Sequence, residues 1–137
     1  MQSHESKTRT RISRIARIAA GGILIMALVP KFLGAPESIA LFETLGVEPW
    51  GRWGTGSAEL IAAVLLNVPG LAVYGGLLTL GLMGGALGSH LTVLGVEVDG
   101  DGGTLFALAS VTFALAATVT WLQRAELPRR SGSRQVA

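Results

Sequence analysis

Two ionisable side chains, Glu59 and His90, stand in sequence that otherwise reads as lipid-soluble helix. An ionisable group in hydrocarbon costs about 2.5 kcal/mol or more on insertion scales, so such groups are usually paired and mark candidate sites. Two cations are placed to join them. Arg52 lies seven residues before Glu59, close to the same helix face, and Lys31 approaches from the end of the preceding apolar segment. The chemistry open to this set is proton handling. An imidazole titrates near neutrality and a buried carboxyl can be tuned toward it, so the two together can exchange protons with a reducible ligand. A carboxylate in low dielectric needs a partner or a proton, so Glu59 is expected to pair with Lys31 or Arg52, or to be protonated. The competing role is structural: an ion pair and a cross-helix hydrogen bond that only lock helices together.

The elements that must position these residues are membrane helices. Half of the 137 residues are hydrophobic, and they fall in long runs without charge. From Leu60 to Val96 there are 37 residues without a formal charge, about 55 Å of helix, nearly twice a hydrocarbon core of about 30 Å. That stretch must hold two spans and a turn. Gly102 to Gln123 adds an uncharged run of 22 residues, and Ile12 to Leu33 another stretch interrupted only by Arg14, Arg17 and Lys31. The predicted fold is all-α, a four-transmembrane-helix bundle. Its spans lie at about 12–33, 53–70, 72–96 and 104–123, within a domain over 12–124, between a mobile polar tail over 1–11 and a basic tail over 125–137.

Several details follow from local chemistry. Pro30 is expected to kink or end the first span. Between spans one and two, Ile39, Phe42 and Leu45 recur every three residues. Pro36 suits a first helical position, Glu37 the positive end of the dipole, and Gly46 a cap, which predicts a short amphipathic helix on the outer surface. Its role is a lid over the bundle, or a gate over a site beneath. Trp50 and Trp53 suit an interfacial re-entry. Asn67, Pro69 and Gly70 offer a turn after the second span, and Tyr74, Gly75 and Gly76 offer another. The later turn would set Glu59 and His90 at equal depth; the earlier one staggers them by about ten residues, or roughly 15 Å. Gly81 with Gly85 and Gly84 with Gly88 form small-xxx-small pairs that predict close helix approach in the bundle, or a homo-oligomer through the same face. The acidic segment Val98 to Gly103 reads as a solvated turn, since most of a calcium loop is absent.

Charge orients the helices. Nine of the eleven Lys and Arg residues flank the termini, namely Lys7, Arg9, Arg11, Arg14, Arg17, Arg124, Arg129, Arg130 and Arg134. The positive-inside rule then places both termini in the cytoplasm of a multi-pass protein of the inner membrane. Glu37, Glu43, Glu48, Glu97, Asp99 and Asp101 fall in the two outer loops. The basic ends are expected to meet membrane lipid, not nucleic acid. Ile18 to Val29 after a basic segment could read as a secretory signal, but Lys31 follows directly and no A-x-A-like site appears, so an uncleaved span is expected. With no cysteine the chain cannot form disulfides or hold an iron–sulfur cluster through thiolates. His4, the only other histidine, is in the N-terminal tail, so a bis-histidine haem is not expected; Glu59 and His90 alone leave a metal short of ligands.

Pro30-Lys31-Phe32-Leu33-Gly34, Leu45-Gly46, Gly51-Arg52-Trp53-Gly54 with Glu59-Leu60, Leu65-Leu66, and Gly85-Ala86 through His90 together resemble the DoxX-like proteins. The resemblance runs from the first span to the fourth. It implies a small four-helix membrane protein; some relatives are described as subunits of quinone-linked sulfur oxidation and others are tied to oxidative-stress complexes. It also implies an inner turn near Asn67 to Leu71, which favours the staggered geometry and makes Lys31 and Glu59 the better pair. The expectation is an outer-leaflet pocket lined by Lys31, Arg52, Glu59 and His90 that binds a small amphiphile such as a quinone, beside other redox-complex subunits. The alternative is a non-catalytic partner subunit, assembly factor or lipid-binding protein whose buried polar residues only lock the bundle. Enzymatic activity is left open by these residues.

Overall fold

The computed structural model describes residues 1–128, so Arg129, Arg130 and Arg134 of the basic tail lie outside the described residues. The described chain is helical: α1 (Gln2–Leu33), α2 (Pro36–Thr44), α3 (Trp50–Asn67), α4 (Ala72–Ser89) and α5 (Thr104–Gln123). A π-helical turn, His90–Leu94, extends α4, and a 3-10 turn, Arg124–Glu126, follows α5. α1 packs on α3 and α5, α3 on α4, and α4 on α5, which closes a ring. Residue pairs run in opposite directions along α1 and α3, Gly21 with Asn67 and Lys31 with Glu59, and along α4 and α5, Gly76 with Thr120 and Gly84 with Phe113, so these neighbours are antiparallel. α1, α4 with its π turn, and α5 with its 3-10 turn are long and apolar enough to cross a membrane. α3 carries Arg52, Thr55, Ser57, Glu59 and Asn67 and is not among these three.

The core of the ring is built from small side chains. Ala20, Ala62, Ala72 and Ala116 are fully buried beside Leu24, Leu66 and Val119, so the helices approach closely. Large apolar side chains point the other way: Ile15, Ile18, Met26, Ile61 and Val111 are half-exposed or more. An outward apolar surface of this extent suits a lipid solvent rather than water.

The segment Met1 to Arg11, expected as a mobile tail, is helical from Gln2. It continues α1 and is tied to the last turn of α5 by Arg9, whose Nη2 donates to the Leu122 carbonyl at 2.7 Å. Pro30 does not end α1. Its missing N–H falls in the last turn, where a single hydrogen bond is lost, and the helix runs on to Leu33. Gly34, at φ 66°, ends it, and the Gly34 and Ala35 N–H groups both donate to the Pro30 carbonyl. α2 forms as its pattern predicts, with Pro36 in its first turn and Phe42 buried. It lies across one end of the ring, touching α1, α3 and the π turn.

The turn between α3 and α4 is Val68–Leu71, with Gly70 at φ 79°. Tyr74, Gly75 and Gly76 therefore belong to α4, and the two glycines do the close packing. A Cβ on Gly75 would collide with the Leu66 backbone, and one on Gly76 with Thr120 and, at 3.3 Å, the Ala116 carbonyl. The predicted close approach through Gly81, Gly84, Gly85 and Gly88 is not found among the described residues. A Cβ on Gly81, Gly85 or Gly88 meets nothing within 4 Å, and one on Gly84 meets only Phe113 at 3.9 Å. The helices are held together beside the short turn and diverge toward α2, which moves the contact down α4.

Asp101 does more than sit in a solvated turn. Its carboxylate accepts the N–H groups of Val98 (3.0 Å), Gly103 (2.8 Å) and Leu105 (2.9 Å), which caps the start of α5. The Leu105, Val98 and Gly103 amides hold this carboxyl below the usual range.

Gly75→Ala should destabilise the chain by about 1–3 kcal/mol, the usual cost of overpacking, because backbone cannot move aside. Gly81→Ala should leave stability unchanged or raise it by up to about 1 kcal/mol through helix propensity. Thermal unfolding of the two variants in detergent checks the contrast.

Candidate functional site

The antiparallel contact of α1 with α3 brings Lys31 against Glu59. Lys31 Nζ lies 2.9 Å from Glu59 Oε2 and 3.0 Å from Oε1, and it also donates to the Ala27 carbonyl at 3.0 Å. Glu59 is 4% exposed. The three protons of the ammonium thus have three acceptors, all inside the chain. Gly56 lies at the same contact, where a Cβ would sit in ordinary contact with the Phe32 ring at 3.4 Å. Phe32 also packs on Trp53, with ring centroids 5.5 Å apart.

Arg52 is buried but serves a different partner from the one its spacing suggested. Its Nε lies 2.8 Å from Glu48 Oε1 and its Nη2 2.7 Å from the same oxygen, while Nη1 donates to the Lys31 carbonyl. That carbonyl is one of the last four of α1, which have no partner within the helix. The guanidinium therefore seals the negative end of α1 and tethers it to the start of α3. The Glu48–Arg52 spacing of four residues was the available signal for this pair.

His90 opens the π turn and is 5% exposed. Its Nδ1 donates to the Gly95 carbonyl at 2.8 Å, and its ring stands edge-on to Phe106 at 5.7 Å. No hydrogen bond joins it to Glu59 among the described residues. The Val68–Leu71 turn is the earlier of the two candidates, and His90 sits well above Glu59 along the ring.

Glu59, Lys31 and His90 nevertheless face one space. A cavity of about 620 Å³ lies under α2 where the ring helices diverge, lined by residues of all five helices, and it is mostly apolar. Leu24, Met83 and Leu108 form part of its walls, with Thr112 toward its floor; Arg52 is not among its lining residues. Met26, Gly81 and Gly85 line it and are exposed, so it reaches the flank of the ring. Phe42 of α2 and Leu45, just after it, cover its end. Among the described residues no three His, Cys, Asp or Glu side chains converge as a metal-ligating group. Comparison of the chain with protein-family models, curated proteins and solved structures returned no match.

Lys31→Met and Glu59→Gln should each destabilise by about 3–5 kcal/mol, because each strands a buried partner. The double variant should lose less than the sum of the two, with a coupling of about 0.5–3 kcal/mol. Unfolding titrations in mixed micelles measure the cycle, and additive losses would show that the pair is not a unit.

Proposed function

We propose that this chain is a DoxX-like membrane protein that crosses the bilayer four times, with both termini cytoplasmic, and binds a small amphiphile such as a quinone. The observation that carries this is the cavity of about 620 Å³ beneath α2, whose apolar wall holds Lys31, Glu59 and His90. A volume of that size matches the pockets that bury small ligands, which are mainly apolar with a few placed polar groups. In this reading the cavity lies in the outer leaflet, α2 is its interfacial roof, and the exposed flank at Met26, Gly81 and Gly85 is the entry from lipid. α3 is the fourth span. Its 18 residues extend about 27 Å, close to a hydrocarbon core of about 30 Å, and its charges are met by Lys31 and Glu48 instead of lipid. The protein would act as the ligand-binding subunit of a membrane redox complex.

One observation favours a second reading. All three donors of Lys31 are consumed within the chain and the guanidinium of Arg52 is held by Glu48 and the Lys31 carbonyl, as expected if these groups lock α1 to α3 in a non-catalytic partner subunit or assembly factor. The readings separate on extraction. If the cavity is a binding site, organic extraction of the purified protein should yield a quinone or related lipid, and added quinone, in its oxidised or reduced form, should raise the unfolding temperature. An empty extract together with an unchanged unfolding temperature sinks the binding function.

The absence of native cysteine allows a clean topology test. In intact cells, Asp99→Cys should react with a membrane-impermeant maleimide while Ser6→Cys should react only after lysis. The reverse pattern would overturn the orientation.

A further inference from the structure

The hydrogen-bonding inventory of the cavity says which head group it suits. We infer that the site takes an uncharged amphiphile bearing a hydroxyl, which donates its proton to His90 Nε2, and that it rejects anions and holds the matching ethers more weakly. This deepens the proposed amphiphile-binding function and rests on it.

A ligand acceptor finds few donors on these walls. Lys31 has given its three protons to Ala27 and Glu59. The hydroxyls of Thr55, Ser89 and Thr112 donate to the carbonyls of Gly51, Gly85 and Leu108 in their own helices. Ser38 and Trp50 are at the mouth, on α2 and at the start of α3.

Acceptors are in surplus. A carbonyl oxygen can only accept, so the Gly95 contact fixes the proton of His90 on Nδ1, and in the neutral ring Nε2 carries a lone pair. Nε2 has no protein partner among the described residues and remains accessible. The π turn is what creates this arrangement: it carries the Gly95 carbonyl back over the histidine ring, and the Gly95 N–H donates to the His90 carbonyl at 2.8 Å. Glu59 keeps further lone pairs on both carboxylate oxygens beyond those used by Lys31.

Charge acts in the same direction. Among the described residues Glu37 and Glu59 line the cavity against Lys31 alone, and Arg52 is turned away toward Glu48. A carboxylate or phosphate head would lose its water without meeting a free cation, which is costly in an apolar site. A hydroxyl pays little desolvation and satisfies the imidazole. For a quinone-type ligand this selects the reduced, dihydroxy form over the oxidised one, whose carbonyls would need donors.

The test uses the full chain in lipid nanodiscs, with empty nanodiscs as the partition control, and calorimetric titration of para-octylphenol, para-octylanisole and octanoate. The phenol should bind about tenfold more tightly than the anisole, the worth of one buried hydrogen bond, and octanoate should show no binding above the control. His90→Phe should bring the phenol down to the affinity of the anisole while leaving the anisole unchanged. Equal affinities of phenol and anisole for the native chain, or tight octanoate binding, overturn the inference and leave the amphiphile site standing. Binding of no probe overturns both. The comparison on the native chain decides even if His90→Phe does not fold.

Discussion

Charge buried between α1 and α3 is the constraint that the rest of the structure satisfies. An ammonium and a carboxylate removed from water each cost several kcal/mol, and only close, multiply bonded geometry returns that cost. Lys31 and Glu59 meet this condition with contacts of 2.9 and 3.0 Å and a third acceptor at Ala27. The condition fixes more than one side chain. α1 must run antiparallel to α3 at a particular register, and the end of α1 must lie where Arg52 can reach the Lys31 carbonyl. Arg52 is then available to Glu48 and not to Glu59. Two charge pairs are thereby used up in holding one helix contact.

The cavity follows from where the helices are tight and where they are not. Gly75 and Gly76 clamp α4 onto α3 and α5 next to the Val68–Leu71 turn, with Gly21 pressed against Asn67 on the same half of the α1–α3 contact. Toward the other end a Cβ on Gly81 or Gly85 would meet nothing within 4 Å among the described residues, and α4 there borders the cavity while its π turn still meets α5 at His90 and Phe106. Helices pinned at one end and spread at the other leave a wedge, and α2 closes its wide end. An amphipathic helix with Phe42 on its inner face suits that place, because the wedge offers apolar surface that water would otherwise contact.

His90 shows how a backbone irregularity sets side-chain chemistry. In a regular α-helix its carbonyl would bond to the N–H of Leu94, four residues on; in the π turn it bonds to Gly95, at φ 80°. The same shift supplies the Gly95 carbonyl to Nδ1, which fixes the tautomer and leaves the other nitrogen as an acceptor. One added residue in a helical turn thus orients the imidazole and gives it its role on the cavity wall.

Much of this was legible in the sequence. The uncharged run before Arg124 marks α5, the Pro36-Glu37 start and three-residue apolar spacing mark α2, and a lone carboxylate among apolar residues requires a partner such as Lys31. These are local patterns or unavoidable electrostatic demands, and composition carries both. The choice between the turns at Pro69-Gly70 and Tyr74-Gly76 was not local, because both stretches hold turn-forming residues; packing of Gly75 on Leu66 and Gly76 on Thr120 decided it. Glycine spacing alone favoured Gly81 to Gly88 as the contact, although a small-xxx-small pattern records only that helices can approach, not where they do. The partner of Arg52, the π turn at His90 and the helical start at Gln2 likewise depend on groups brought from elsewhere in the chain. The sequence by itself determined that apolar helices enclose a few charges that must be compensated, since burial energies depend on residue type. Tertiary structure alone decided which charges meet and where space is left between helices, because both depend on register and on the direction of each helix axis.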